Sequence, residues 1–116
     1  ASWRTVEAPL ELVPAFDSIP AGAFVILDCL TLWVSNALEA GWTDEDVERA
    51  AAAVATIAAG RERPTVVGTN EVGLGVVPQT ALGRAYRDLL GRVNAVFAAE
   101  AEHAYLMIAG RALELT

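Results

Sequence analysis

Three short, mainly apolar segments predict buried strands. They cover residues 24–27, 64–69 and 104–109. The first is an unbroken apolar run, which is typical of a strand buried on both faces of a parallel sheet. The first run is closed by Asp28, which places a carboxylate at the carboxyl end of that strand. A glycine turn follows the last run, and we expect residues 111–115 to pair back on it.

The segments between these runs predict helices. Residues 30–40 form one helix that ends at a glycine, and residues 43–60 begin with a threonine and three acids, which is the pattern of a capping box. Residues 79–102 carry apolar side chains at every third or fourth position. Residues 9–18 predict a short helix, and residues 3–8 an extended segment.

Strands that alternate with amphipathic helices predict an α/β fold with a parallel sheet and helices on both of its faces. In such sheets a ligand binds beyond the carboxyl ends of the strands. The candidate site residues therefore lie at 28–31 and 70–75, with Glu7 as a further candidate.

Composition narrows the class of protein. The 116 residues suffice for one domain, and a net charge of −7 makes general nucleic-acid binding or an anionic membrane surface a poor fit. The one cysteine, Cys29, has no internal disulfide partner, so we expect a cytoplasmic protein. No apolar run approaches the roughly 18 residues of a membrane helix, and the first residues have no signal-peptide pattern.

Two segments are candidates for binding a metal ion or a ligand. Asp28 either holds Mg²⁺ from a strand end, as in P-loop proteins, or caps the helix that follows. Residues 70–78 contain Gly73 and Gly75, which permit close backbone approach to a ligand; the other interpretation is a surface turn.

The remaining polar candidates have mainly structural interpretations. Arg84 and Asp88 are spaced for a surface ion pair on the long helix, although an arginine of that helix could instead reach a phosphate. His103 is the one histidine, and without nearby metal ligands it is expected to be structural.

Several segments together resemble the bifunctional adenosylcobinamide kinase/adenosylcobinamide-phosphate guanylyltransferases of cobalamin biosynthesis. The most specific is Asn-Glu-Val-Gly-Leu-Gly-Val-Val-Pro at residues 70–78. The resemblance implies a three-layer, RecA-like P-loop fold and a homotrimer. It also implies two reactions, phosphorylation of adenosylcobinamide and transfer of GMP from GTP to adenosylcobinamide phosphate. The matching segments are residues 3–7, 25–31, 69–78, 86–94 and 109–110.

The resemblance also implies roles for particular residues. Glu7 and Asp28 match family positions that contact the guanine nucleotide, and Asp28 would also hold Mg²⁺. Asn70 and Glu71 match the family loop beside the nucleotide. The implied ligands are GTP or ATP and a corrinoid, with Mg²⁺ as the cofactor.

Other family features have no counterpart in these 116 residues. The family begins with a strand and a Gly-x-x-x-x-Gly-Lys-Ser loop and has a guanylylated histidine upstream of the Trp-Arg-Thr segment, whereas this sequence has no lysine and its His103 lies elsewhere. We therefore expect the C-terminal part of one nucleotide-binding domain, lacking the N-terminal strand and P-loop, inactive and unstable alone. The alternatives are a non-catalytic subunit or remnant that binds a partner or nucleotide weakly, and a different small α/β nucleotide kinase.

Overall fold

A computed structural model describes residues 2–116. Helices and strands occur where the sequence pattern predicts them, with ends shifted by a few residues, whereas residues 3–8 form no strand. The elements are α1 Leu12–Asp17, β1 Val25–Asp28, α2 Leu30–Glu39, α3 Asp44–Ala59, β2 Thr65–Gly68, a 3₁₀ turn η1 at Val72–Leu74, α4 Ala81–Glu100, β3 Ala104–Ile108 and β4 Arg111–Leu115.

Strands β1 and β2 form a parallel pair. The register begins at Val25 opposite Thr65 and ends at Asp28 opposite Gly68. Parallel strands need a crossover connection, and α2 and α3 supply it. The mixed α/β fold with a parallel sheet is thus confirmed, and it is compatible with a P-loop-like architecture.

The helices cover one face of the β1–β2 pair. Val25 is buried in the helical core and Leu27 packs against it, because alternate residues of a strand point to the same face. On the opposite face Ile26 and Val66 are 54% and 51% exposed. The predicted burial of both strand faces is therefore wrong for residues 2–116, because an apolar run in the sequence does not show how many faces of the strand are covered.

Strand β3 pairs with β4 instead of joining the parallel pair. The two form a separate antiparallel hairpin, from Ala104 opposite Leu115 to Ile108 opposite Arg111. Its turn is Ala109–Gly110, at φ 51° and 74°, and positive φ at both positions suits the twist of a two-residue hairpin. The expected β4 pairing is correct, but placing β3 in the parallel sheet is wrong for the described chain, because pairing with the adjacent segment closes a much shorter loop.

The core lies among the helices. Helix α4 packs against α2 and α3, and α3 packs against α1. No helix within residues 2–116 has the length and apolar character needed to cross a membrane. The largest completely buried side chains are Leu30, Val34, Val47, Val54, Leu89, Leu90 and Val93.

Helix α3 begins with the predicted capping box. The Thr43 hydroxyl accepts a hydrogen bond from the Asp46 backbone N–H at 3.1 Å, and the Asp46 carboxylate accepts one from the Thr43 N–H at 3.0 Å. These hydrogen bonds lower the pKa of Asp46, because they favour the charged carboxylate. The start of α3 is thus stabilised locally.

Arginines of α4 have structural partners. Arg92 donates to Glu48 at 2.6 Å and to Asp44 at 3.0 Å, which ties α4 to α3. The expected pair of Arg84 with Asp88 is wrong. The Arg84 guanidinium instead turns back to the carbonyls of Pro78 and Gln79, since helical side chains lean toward the N-terminus, and Asp88 pairs with its neighbour Arg87.

We predict that Leu89→Ala destabilises the protein by about 2–5 kcal/mol, because Leu89 is fully buried and its truncation leaves a cavity. Leu82→Ala on the same helix is the matched control, since Leu82 is 71% exposed. Denaturant unfolding measures both. An equal loss of stability in the two variants would contradict the burial of Leu89 in the core.

The Asp46 capping box predicts a pH-dependent stability. The native pKa of Asp46 is lowered, so its contribution is present above the unfolded-state pKa and is lost as pH falls through the native pKa. Asp46→Asn should therefore be less stable than wild type at neutral pH, and the difference should shrink in acid. Glu45→Gln is the control in the same helical turn, because Glu45 has no hydrogen bond to Thr43. The free energy of unfolding of each variant is measured with denaturant at several pH values. A difference between Asp46→Asn and wild type that does not change with pH would contradict the prediction.

Candidate functional site

Asp28 lies at the carboxyl edge of the parallel pair. It stands opposite Gly68 in the register, and its Oδ1 is 3.9 Å from the point where a Cβ on Gly68 would lie. Helix α2 is N-capped by Cys29 without any side-chain hydrogen bond, so the alternative role of Asp28 as a helix cap is not observed. The Asp28 carboxylate is exposed and takes part in no hydrogen bond within residues 2–116.

The segment after β2 is anchored at the same edge. The Asn70 N–H donates to the hydroxyl of Thr31 on α2 at 3.1 Å, and the Asn70 carbonyl accepts from the side chain of Asn94 on α4 at 3.1 Å. The Thr69 hydroxyl donates to the other end of the Asn94 amide at 2.6 Å. The structure therefore places Asp28 and Asn70 at the ends of adjacent strands.

Glu71 faces a different part of the surface. Its carboxylate accepts a hydrogen bond from the Gly73 N–H at 3.1 Å and caps the η1 turn. It also lines an open cleft of about 620 Å³ between η1 and α4. The other residues of the cleft are Gly73, Arg87, Asp88, Gly91, Arg92 and Ala95.

Glu7 lies outside the hydrogen-bond network described for this edge. It is exposed, lies in an irregular segment, and has no hydrogen bond or ion pair within the described part of the chain. Neighbouring residues are fixed elsewhere: Trp33 donates to the Leu10 carbonyl at 2.9 Å, and Trp3 meets Phe24 edge to face at 6.3 Å between ring centroids.

The donor set at Asp28 is a single carboxylate. Residues 2–116 contain no group of three or more His, Cys, Asp or Glu side chains that could hold a metal ion. Mg²⁺ commonly takes one or two protein carboxylates and fills its remaining positions with water and substrate phosphates. An exposed carboxylate with no internal partner fits that use, whereas a fully protein-enclosed metal site does not fit.

The sequence placed Thr31 in a candidate segment but did not predict the hydrogen bonds that hold this edge together. Thr31 and Asn94 contact Asn70 as described above, and the Tyr86 hydroxyl donates to the Thr31 carbonyl at 3.0 Å. Burial raises the pKa of Tyr86, and the nearby Cys29 thiol raises it further. The available signals in the sequence were the candidate segment 28–31, which includes Thr31, and Asn94, a polar residue within the apolar pattern of the long helix.

His103 contacts side chains of its own hairpin. Its Nδ1 lies 2.9 Å from the Glu114 carboxylate on the facing strand, and its ring stacks on Tyr105 at 6.2 Å. Both contacts lie within the β3–β4 hairpin.

The chain is an α/β protein with a parallel strand pair, and a carboxylate without an internal partner and an anchored polar segment lie at the carboxyl edge of that pair. In α/β proteins with parallel sheets, ligands bind at this edge. Residues 1–115 match the family described as cobinamide kinase/cobinamide phosphate guanyltransferase. The chain belongs to this family, as the sequence resemblance predicted.

Individual relatives show the same likeness. The bifunctional adenosylcobalamin biosynthesis protein CobU of Salmonella typhimurium is 38% identical, over 95% of this chain and 68% of its own length. The protein of the same name from Escherichia coli is 37% identical, over 93% and 67%. The bifunctional protein CobP of Pseudomonas aeruginosa is 35% identical, over 99% and 66%. The chain thus spans about two thirds of each relative.

Glu71→Ala is expected to loosen the η1 turn, because it removes the acceptor for the Gly73 N–H. Amide hydrogen exchange at Gly73 should become faster, since exchange reports local opening. Glu71→Gln is the control, because its amide oxygen can still accept the bond. Unchanged exchange in Glu71→Ala would contradict the capping role.

Proposed function

We propose that this chain supplies part of the nucleotide site of a bifunctional enzyme that phosphorylates adenosylcobinamide and transfers GMP from GTP to adenosylcobinamide phosphate. Family membership supports the reactions. The observation that carries the site is the position of Asp28 and Asn70 at the carboxyl ends of two paired parallel strands. A RecA-like P-loop arrangement is part of the same proposal.

Asp28 is the proposed metal-side acid. Its carboxylate is free of internal partners, and its strand opens onto the edge where ligands bind in parallel sheets. Bound Mg²⁺ would offset the negative charge of the nucleotide phosphates. Asp28 would hold and orient that complex through its carboxylate.

Asn70, Glu71 and Glu7 are the further proposed nucleotide contacts. Asn70 is the best supported, because it follows β2 at the edge where β1 ends with Asp28. Glu71 has one oxygen engaged in the η1 turn, so its second oxygen is the one left for a ligand. Glu7 rests on its match to a family position, and it would reach the nucleotide only if the ligand extends beyond the strand edge.

The two proposed reactions break different phosphorus–oxygen bonds of the nucleotide, at the γ-phosphate in the first and at the α-phosphate in the second. In the first, the substrate hydroxyl oxygen attacks the γ-phosphorus of GTP or ATP, the nucleoside diphosphate leaves, and the hydroxyl proton is released. In the second, GMP moves from GTP to the substrate phosphate and pyrophosphate leaves. Both build negative charge on phosphate oxygens, which a carboxylate-held cation at Asp28 would help to stabilise.

We also propose assembly as a homotrimer, which the family resemblance implies. Exposed apolar side chains provide surface for such contacts: within residues 2–116, Leu32, Val77 and Met107 are each more than 60% exposed.

The test is the rate of GMP transfer by the protein expressed from its complete gene. Asp28→Asn should lower that rate by roughly 100-fold, the usual scale for losing one preorganised electrostatic group, and should raise the Mg²⁺ concentration needed for half-maximal rate. Asp17→Asn is the control, because Asp17 is an exposed acid at the end of α1. An unchanged rate and unchanged Mg²⁺ dependence in Asp28→Asn would overturn the metal-side role.

Nucleotide preference separates the alternatives. The proposed enzyme should bind GTP more tightly than ATP in an equilibrium titration and should convert both corrinoid substrates. Equal affinity for GTP and ATP, without GMP transfer, would indicate a different α/β nucleotide kinase. Weak binding with neither reaction would indicate a non-catalytic subunit.

A further inference from the structure

The Asn70 backbone is held by side chains from two separate helices. Its N–H is bonded to Thr31 on α2, 39 residues away in sequence, and its carbonyl is bonded to Asn94 on α4, 24 residues away. Asn94 is fixed in turn by the Thr69 hydroxyl. One amide side chain thus contacts two consecutive residues, which fixes how the chain leaves β2.

Thr31 is itself tied to α4. The Tyr86 hydroxyl donates to the Thr31 carbonyl at 3.0 Å, across the α2–α4 contact. A tyrosine hydroxyl keeps its proton and can donate at neutral pH, and burial raises the pKa of Tyr86 further. The acceptor for the Asn70 N–H therefore stands on a helix whose position is fixed.

This arrangement leaves the Asn70 side chain free. Both backbone groups of the residue are engaged, whereas its amide takes part in no hydrogen bond within residues 2–116 and the residue is exposed. A side chain on a fixed backbone loses less conformational entropy when it binds. The features expected of a preorganised ligand contact are all present: a rigid base, a free donor and acceptor, and a strand-end position.

We propose that Thr31 and Asn94 are positioning residues that hold Asn70 so that its amide meets the nucleotide. The proposal rests on the proposed nucleotide site and adds two residues to it that do not touch the ligand. Displacing Asn70 by a fraction of an ångström weakens its contact even though the amide remains, because hydrogen bonds lose strength steeply with distance and angle.

Thr31 offers a closely matched pair of variants. Thr31→Val keeps the shape but removes the hydroxyl acceptor, whereas Thr31→Ser keeps the acceptor. We expect Thr31→Val to weaken Mg²⁺–GTP binding about tenfold and Thr31→Ser to bind like wild type. Thermal unfolding of each variant is measured beside its GTP affinity. If Thr31 were only structural, weaker GTP binding in Thr31→Val would be accompanied by lower thermal stability.

The decisive measurement is a double-mutant cycle with Asn70→Ala. If Thr31 acts through the Asn70 amide, Thr31→Val should cause no further loss of GTP affinity once that amide is gone. Asn94→Asp provides a second route to the same test. It keeps the acceptor for Thr69 but loses the donor to the Asn70 carbonyl, and its effect should likewise vanish in Asn70→Ala.

The possible failures are distinguishable. Wild-type protein that binds no GTP would overturn the proposed function and the positioning role with it. If wild type binds GTP, the positioning role alone is overturned by wild-type affinity in Thr31→Val and Asn94→Asp. Losses that add fully to that of Asn70→Ala would overturn it in the same way.

Discussion

The parallel pairing of β1 with β2 is the constraint on which the candidate site depends. Its register sets Asp28 opposite Gly68, so the strand that carries the carboxylate ends beside the strand that leads into Asn70. Antiparallel pairing would send these two ends to opposite edges of the sheet. Because Gly68 has no side chain, the space beside the Asp28 carboxylate stays open.

Helix packing holds that strand pair from one side. Val25 is the strand residue that is buried in the helical core, and α4 packs against both α2 and α3. Polar contacts reinforce the same interfaces: Arg92 links α4 to two acids of α3, and Tyr86 links α4 to α2. The site thus rests on a helical core that is buried independently of the sheet's exposed face.

Local signals in the sequence predicted the elements well. The threonine and acids at the start of α3 and the glycine after α2 act on their own neighbours, so helix ends could be read directly. Layering and strand partners could not, because an apolar run is the same whether one face is covered or two. This is why β3 was wrongly placed in the parallel sheet, and why Ile26 was expected to be buried.

The candidate site was likewise predicted only in part from the sequence. Asp28 and Asn70 follow strands, and the rule that ligands bind at strand ends found both. Thr31 lies in the candidate segment 28–31, but the bonds of Thr31 and Asn94 to Asn70 were not predicted. They span 39 and 24 residues, and no local pattern indicates a hydrogen bond over such a separation. Glu7 came from the family resemblance alone, and the described contacts leave it apart from the cluster.

The bonds that hold Asn70 also cross the contact between α2 and α4, and this couples the interior to the surface. A change in side-chain volume at Leu30 or Val93, both completely buried on these helices, would shift one helix against the other. Dense interiors transmit such strain instead of absorbing it. Substitutions in this part of the core are therefore restricted by the geometry of the ligand site as well as by stability. Substitutions at the α1–α3 contact are restricted by stability alone.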